Sequence, residues 1–440
     1  MTDAVQSRVR GWLWILPLGL VLVGGGQLVA EQSLVGSRGQ EARVLLELET
    51  EGHGLGLEEL AGEPCPPEAL KSLRRLMGLA RVSPAERNAL RWVREGSLSE
   101  DPHLESPERI FVARDAAGVV AGLDKELQRL LQEPRLASTL TLTLSPEGRQ
   151  KVDLDDGFLL PTLEFAQDLA GAAALFAVEG DARAWRLLRQ ATQLAQRLDE
   201  PTLMGVIIKD AMLVAVCEAA PRLLARLGAP SPREGRILEA ALESLDRRVD
   251  FARALRFELA WAMTLLPSAE QGPAGQGLGP PRVRDWIPFV GKVAYGQERV
   301  EYVTLMARAV RAVEAEPRRA QELLAAISSD ARAGDRLAQT LVLQIDQAVG
   351  SALITRARVR MLRLALRLAA CPQLPALLPD PILGDVTSPH SAPVRWERAT
   401  HRAGRLWCVG LDARDDGGVP DQPGSRATGD LVFEVELPER

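Results

Sequence analysis

The chain reads as a mainly α protein with three parts: a single N-terminal transmembrane helix, an antiparallel bundle of stacked helical hairpins, and a small C-terminal antiparallel β tail. Three observations predict this. Gly11 to Ala30 carries no charged side chain and follows Arg8 and Arg10. From Phe158 to Ala370, Leu and Ala recur at three- and four-residue steps between Gly, Asp and Pro breaks. After Pro372 the composition shifts to Pro, Gly, Asp and Val, with short alternating runs. The division is therefore 1–30, the anchor; 31–155, a mixed helical region ending in a β-hairpin; 156–371, the bundle; and 372–440, a β region with an Asp/Gly-rich loop.

Composition supports the helical reading. The chain has 440 residues, 46% of them apolar but only 4% aromatic. That is enough apolar surface for a sizeable core, and the shortage of aromatics favours helix over sheet. Net charge is −6 with no basic block, which argues against a nucleic-acid surface. Cys65, Cys217, Cys371 and Cys408 show no CxxC and no zinc spacing. Buried free thiols are the simpler expectation. If two of them bridge, Cys371 at a helix end and Cys408 in a strand are the pair to test.

About 20 helical residues span the ~30 Å hydrocarbon core of a bilayer. Arg8 and Arg10 set the orientation, with the N-terminus inside and the body outside the cytoplasmic membrane. An uncleaved signal anchor is the first reading. A cleavable signal peptide ending near Ala30 is the second, with Gly24-Gly25-Gly26 breaking its helix. A prepilin-like leader, Met1 to Gly11, is the third, although Leu16 stands where such leaders carry Glu. All three export the body.

Between 31 and 155, Gln40 to Glu51, Pro67 to Leu79, Ser83 to Val93 and Ala116 to Leu131 read as helices, and Gly96 to Pro107 as a loop. Ser83-Pro84-Ala85-Glu86 combines a cap, a first-turn Pro and a Glu that reaches back. Thr139 to Leu144 then alternates strictly, as a half-buried strand does, and Val152 and Leu154 belong to its return. His53 and His103 stand alone in loops and read as surface residues.

In the bundle, the pattern predicts helices over Leu159 to Val178, Ala182 to Leu198 and Thr202 to Leu227, with Pro221 a kink or restart. One long helix is expected over Gly235 to Leu266, where Arg253 and Glu258 pair locally or face solvent. Pro267 to Pro281 is a loop, and Trp286-Ile287-Pro288-Phe289 covers the bundle rather than lying on the membrane surface, because so short and Pro-interrupted a run lacks a sizeable amphipathic face. Gln297 to Glu314, Pro317 to Ser328 and Asp335 to Ala370 complete it. The unit Leu169 to Pro201, with Gly171, Ala174, Ala184 and Ala191, is loosely similar to one tetratricopeptide repeat. No three copies fall in register.

No HExxH, GxSxG, Walker loop or GxGxxG is present, and the many carboxylates are expected on exposed helix faces. Sequence therefore offers no catalytic residue and no cofactor motif. In the tail, Val394 to Glu397, Arg405 to Val409 and Leu431 to Val435 read as strands. Asp412, Asp415, Asp416 and Asp430 lie on the Gly-rich connection between the last two. Clustered carboxylates on such a loop suit Ca²⁺, which takes 6–8 oxygens, although Arg414 breaks any EF-hand spacing. The rival is a solvated acidic turn, with each Asp bonding nearby backbone N–H groups.

The tail resembles the end of the major pseudopilins of type II secretion. The residues that carry the resemblance are Leu406-Trp407-Cys408-Val409-Gly410, Asp412, Asp415-Asp416-Gly417-Gly418 and Gly429-Asp430-Leu431, preceded by Asp380-Pro381-Ile382-Leu383-Gly384. Similar ends occur on uncharacterised, membrane-anchored helical bacterial proteins. The resemblance covers the last 60 to 80 residues and implies calcium at Asp412, Asp415, Asp416 and Asp430. The Gly-x-Tyr-Pro that follows the helix in those proteins is replaced by Cys371-Pro372-Gln373-Leu374-Pro375. The functional expectation is a non-enzymatic scaffold or assembly component of the cell envelope with protein partners. A minor pseudopilin-like subunit and an envelope hydrolase without a recognisable motif are the alternatives.

Overall fold

The computed structural model describes residues 32–440 apart from 34, 63–64, 96–106, 134, 138, 145–149, 156, 248–249, 266–287, 316, 335–344, 379–382, 389–391, 413, 420–428 and 439–440. The predicted anchor, His103, Trp286-Ile287 and most of the Asp380 to Gly384 segment therefore lie outside the described residues. Among the described residues no helix is long and apolar enough to cross a membrane.

The described chain is mainly helical. Residues 35–50 form α1. Then come α2 (Leu57–Ala61), α3 (Pro67–Leu79), α4 (Pro84–Glu95), α5 (Pro107–Gly122) and α6 (Asp124–Leu130). The hairpin β1 (Thr139–Leu144) and β2 (Gln150–Asp155) follows, paired antiparallel from Thr139↔Asp155 to Leu144↔Gln150. The bundle continues with α7 (Leu159–Val178), α8 (Arg183–Arg197), α9 (Leu203–Leu227), α10 (Pro232–Arg247), α11 (Asp250–Leu265), α12 (Pro288–Val313) and α13 (Pro317–Ala333). A last long helix, α14 (Ile345–Ala369), leads to β3 (Arg395–Arg398), β4 (Ala403–Cys408) and β5 (Leu431–Glu436).

α7 is the helix around which the first half packs, touching α4, α5, α8 and α9. It is apolar on every side from Leu169 to Ala177, the pattern of a helix with no solvent face. Its small residues permit close approach: a Cβ on Gly171 would lie 2.8 Å from Leu90 Cβ and 2.9 Å from the Leu90 carbonyl oxygen. α8 is the opposite case. It buries Trp185, Leu188, Ala191 and Leu194, while of its arginines only Arg183 is exposed and Arg186 turns to Asp124 of α6.

The buried apolar residues fall into two main cores. The first takes α3 to α10, the C-terminal half of α14 and the tail. The second takes α1 through Leu48, α11, α12, α13 and the start of α14 through Ile345, Val349 and Leu353. α9 and α14 belong to both, so they join the two halves.

Several elements depart from the sequence reading. α5 begins at Pro107, inside the expected loop, and stops at Gly122. Leu123 N–H then bonds the Val120 carbonyl at 3.2 Å, and α6 restarts at Asp124. The expected Gly235 to Leu266 helix appears as α10 and α11, with 248–249 undescribed between them. Apolar residues recur along this stretch, and those that are buried divide: Leu245 serves the first core and Leu255 and Leu259 the second. His53 is 9% exposed, not a surface residue, with Nδ1 3.3 Å from Glu314.

Arg253 and Glu258 do not pair with each other. Arg253 donates to Asp199 at 2.8 Å and to the carbonyls of Leu60 and Ala61 at 2.6 and 3.0 Å. Glu258 accepts the Leu203 N–H at 2.9 Å, at the start of α9, where Thr202 Oγ1 also accepts from Gly205 at 3.0 Å. These two bonds satisfy N–H groups that any helix start leaves without an internal partner. Burial raises the Glu258 carboxyl, the Leu203 N–H opposes the rise, and the charge of Glu200 adds to it.

Candidate functional site

The described residue set is richest in buried charge where α14 meets α10 and the tail. On α14, Arg356, Arg360, Arg363 and Arg367 recur at steps of four, three and four, so they share one face. On α10, Glu239, Glu243 and Asp246 do the same. The two rows meet in antiparallel order. Arg367 pairs with Glu239, Arg363 lies 3.8 Å from Glu243, and Arg360 meets Asp246.

Asp246 is the centre of this seam and is 5% exposed. Its carboxylate accepts Arg360 Nε at 2.9 and 3.1 Å and Arg363 Nη1 at 3.1 Å. Arg356 Nε stands further off, at 3.7 Å. One buried carboxylate thus holds three guanidinium groups, two of them by hydrogen bonds. The expectation that acidic residues sit on exposed helix faces fails here. It fails again at Asp168, which is 2% exposed and accepts Arg87 Nε at 3.3 Å across the α4–α7 contact.

Arg360 also reaches the tail, where Nη1 donates to the Gly384 carbonyl at 2.6 Å. The next residue, Asp385, is buried. It accepts N–H groups of Thr387 at 2.9 Å and Val409 at 2.8 Å, and lies 3.4 Å from Arg395 Nη1. The Thr387 hydroxyl sits between the Asp385 carboxylate and the Val409 carbonyl, and its single proton serves one of them. Arg395 in turn binds Asp415 at 2.6 Å. A continuous polar chain therefore runs from α10 through α14 to the acidic loop.

The sheet follows from these anchors. Its order is β3-β4-β5, both pairs antiparallel, with Trp396↔Leu406 and Leu406↔Phe433 in register. Gly404, Leu406 and Cys408 alternate inward along β4, and β5 packs on α9 and α14. A Cβ on Gly404 would fall 2.3 Å from the Trp396 ring, so this close approach requires glycine. Burial and the nearby Asp385 charge push the Cys408 thiol well above its ordinary value. All four cysteines are free thiols, including Cys371 and Cys408.

The four acidic residues singled out from the sequence occupy different settings. Asp412 is exposed and accepts its own loop's Arg414 N–H at 3.1 Å. Asp415 is fully engaged: Oδ1 accepts Trp407 Nε1 and Gly417 N–H, both at 3.1 Å, and Oδ2 takes Arg395. Burial works upward on its carboxyl, but the Trp407 and Gly417 bonds and the Arg395 charge outweigh it and hold the carboxyl low. Asp416 is exposed. Asp430 is 1% exposed, accepts Gly418 N–H at 2.7 Å, and keeps Oδ1 without a partner. Burial raises it against that bond, helped by the charges of Asp415 and Asp416.

The loop thus brings Asp415, Asp416 and Asp430 into one electrostatic neighbourhood, and two positive-φ glycines, Gly417 and Gly418, make the turn. Among the described residues, no three acidic, His or Cys side chains form a group able to hold a metal ion. The sequence reading did not single out Asp246, Arg360, Asp385 or Arg395. The matched Glu/Asp and Arg spacings of α10 and α14 were the available signal. No protein-family model matches the chain, and neither curated proteins nor solved structures give a match.

Proposed function

We propose that this chain is an exported, membrane-anchored scaffold or assembly component of the cell envelope, which holds protein partners on its helical faces and on the C-terminal sheet. The observation that carries the export half is the uncharged run Gly11 to Ala30 behind Arg8 and Arg10. Support for the scaffold half comes from the tail. It is not a loose appendage, because Arg360 of α14 donates to the Gly384 carbonyl and β4 and β5 pack on α14, with β5 also on α9. A sheet fixed in this way presents its β3 edge in a constant orientation, which suits docking of another chain. Protease added outside the cytoplasmic membrane of intact cells tests the topology. The body should be cut and the first ten residues spared; protection of the body contradicts the proposal.

A minor pseudopilin-like subunit is the second reading, and one observation favours it. A long helix, α14, is followed by a three-stranded antiparallel sheet whose β4 and β5 pack back on it, with the Asp/Gly loop between those strands. In this reading the bundle is an insertion between anchor and tail, and the loop holds calcium once Asp415 exchanges Arg395 for the ion. It requires removal of Met1 to Gly11, which N-terminal sequencing of the mature protein reads directly. An envelope hydrolase has no supporting constellation among the described residues.

A further inference from the structure

A cleft of about 840 Å³ lies at one end of the bundle, where the α9–α10 turn, the start of α10 and the end of α14 meet the β3–β4 turn and the residues after β5. Leu227, Pro230, Leu366, Leu437 and Pro438 give it apolar walls. Four side chains able to carry positive charge line it, Arg236, Arg367, His401 and Arg402, against one carboxylate, Glu239. Glu239 is already engaged, since it accepts Arg367 Nε at 2.6 Å. Among the described residues, Arg236 and Arg402 have no carboxylate within ion-pair distance. Elsewhere in the bundle, arginines at least half-buried meet acids, as Arg87, Arg94 and Arg253 do.

The cleft therefore concentrates positive charge on a chain whose net charge is −6. Helix ends do not reverse this. Each counts for about half a charge: the start of α10 adds one positive end and the ends of α9 and α14 two negative ones. Two uncompensated guanidinium groups outweigh that difference. The cations also stand on fixed mounts. Thr400 Oγ1 accepts the N–H groups of Arg402 and Ala403 at 3.1 and 2.9 Å, and Leu437 N–H donates to the Arg402 carbonyl at 2.9 Å. Leu374 N–H holds the His401 carbonyl at 3.0 Å. Arg236 follows the first turn of α10, where Gly235 N–H donates to the Ser231 carbonyl at 2.8 Å. A mount that is already ordered lowers the entropy lost on binding.

We propose that this cleft docks an extended acidic segment of a protein partner, with Asp or Glu carboxylates on Arg236 and Arg402 and apolar side chains against Pro230, Leu437 and Pro438. A guanidinium fork matches a carboxylate in shape and charge. A small inorganic anion would use the arginines and leave the apolar walls uncovered, whereas a peptide covers both. The proposal rests on the scaffold reading and adds the chemistry of one partner.

The test uses full-length protein in nanodiscs and a short fluorescein-labelled peptide of Glu, Leu and Pro, read by anisotropy. The same peptide with Gln for Glu is the reference. The Glu peptide should bind about tenfold more tightly, as two exposed ion pairs allow, and lose that preference as salt rises. Arg236→Gln and Arg402→Gln should each weaken it about threefold, and the double variant should bind both peptides alike. Arg233→Gln, exposed on the same helix but outside the cleft, should change nothing. If Arg402→Gln shifts the thermal midpoint, Arg236→Gln decides alone. Absent binding, equal binding of the Gln peptide, or equal losses from Arg233→Gln and Arg236→Gln would each overturn the proposal. So would displacement by inorganic phosphate beyond that by chloride at equal ionic strength, which would mark a small-anion site. Peptide binding without recurring partners in cells would count against the scaffold reading alone.

Discussion

Arg360 holds Asp246 of α10 and the Gly384 carbonyl of the tail at the same time, at 2.9 and 2.6 Å. Removing it takes a donor from the half-buried Gly384 carbonyl and the best-placed cation from a buried carboxylate. Arg360→Met should therefore cost about 2–4 kcal/mol in denaturant unfolding. Asp246→Ala should cost more, about 3–5 kcal/mol, because it strands buried guanidinium groups. If Asp246→Ala proves the milder change, the seam is not organised around that carboxylate.

Gly171 allows α7 to meet α4 at Leu90. Alanine is the better helix former by about 1 kcal/mol, so propensity alone predicts that Gly171→Ala stabilises. The contacts at 2.8 and 2.9 Å predict the reverse. We expect a net loss of about 1–3 kcal/mol, read from the urea midpoint. Gly78→Ala, with open space around its would-be Cβ, serves as the control and should not destabilise.

Asp168 makes stability depend on pH in a defined direction. Burial is the largest influence on its carboxyl and raises it to about 6, against the opposing charge and hydrogen bond of Arg87. The folded state therefore binds this proton more tightly than the unfolded chain. Its contribution is most favourable below the unfolded carboxylate value, near pH 4, and is lost as pH rises through about 6. The loss amounts to roughly 3 kcal/mol at 1.36 kcal/mol per unit. Other acids, such as Asp415 and Asp199, are held low and act in the opposite sense. The comparison of wild type with Asp168→Asn isolates the effect: the variant should lose this downward component between pH 4 and 6. Parallel curves for the two proteins would contradict it.

Calcium separates the two functional readings. As a scaffold with Asp415 held by Arg395 and Trp407, the protein should show the same thermal midpoint with and without millimolar Ca²⁺. As a pseudopilin-like subunit it should gain stability, and Asp430→Asn should remove the gain. Asp430 is the residue to change because its Oδ1 is buried and has no partner.

Local periodicity made much of this fold legible. Pro67–Leu79, Leu159–Val178 and Thr139–Leu144 have the bounds that the spacing of their apolar residues predicts. A stripe shows which face is buried but not what covers it. Gly235 to Leu266 carries one stripe, yet its two described segments serve different cores. Charged partners are harder still. Arg253 finds Asp199 and Arg360 finds Asp246 across 54 and 114 positions, and no local rule ranks those acids above their neighbours. His53 does lie in a loop but reads as a surface residue from sequence, because its cover, Glu314 at the end of α12, lies far along the chain. At the acidic loop the residues were visible, but their settings were not. Asp415 is tied down by Arg395 from a neighbouring strand, and Asp430 is buried by the sheet it begins.

In-cell cross-linking of the full-length protein, followed by identification of what it captures, tests the central claim most directly. A scaffold predicts a reproducible set of envelope proteins, with cross-links mapping to the bundle faces and the β3 edge. Its Arg360→Met variant should lose the sheet-edge links first. Capture of secretion or pilus subunits through the tail would establish the pseudopilin-like reading instead. Cross-links to cytoplasmic proteins alone, or none that recur, would contradict the account.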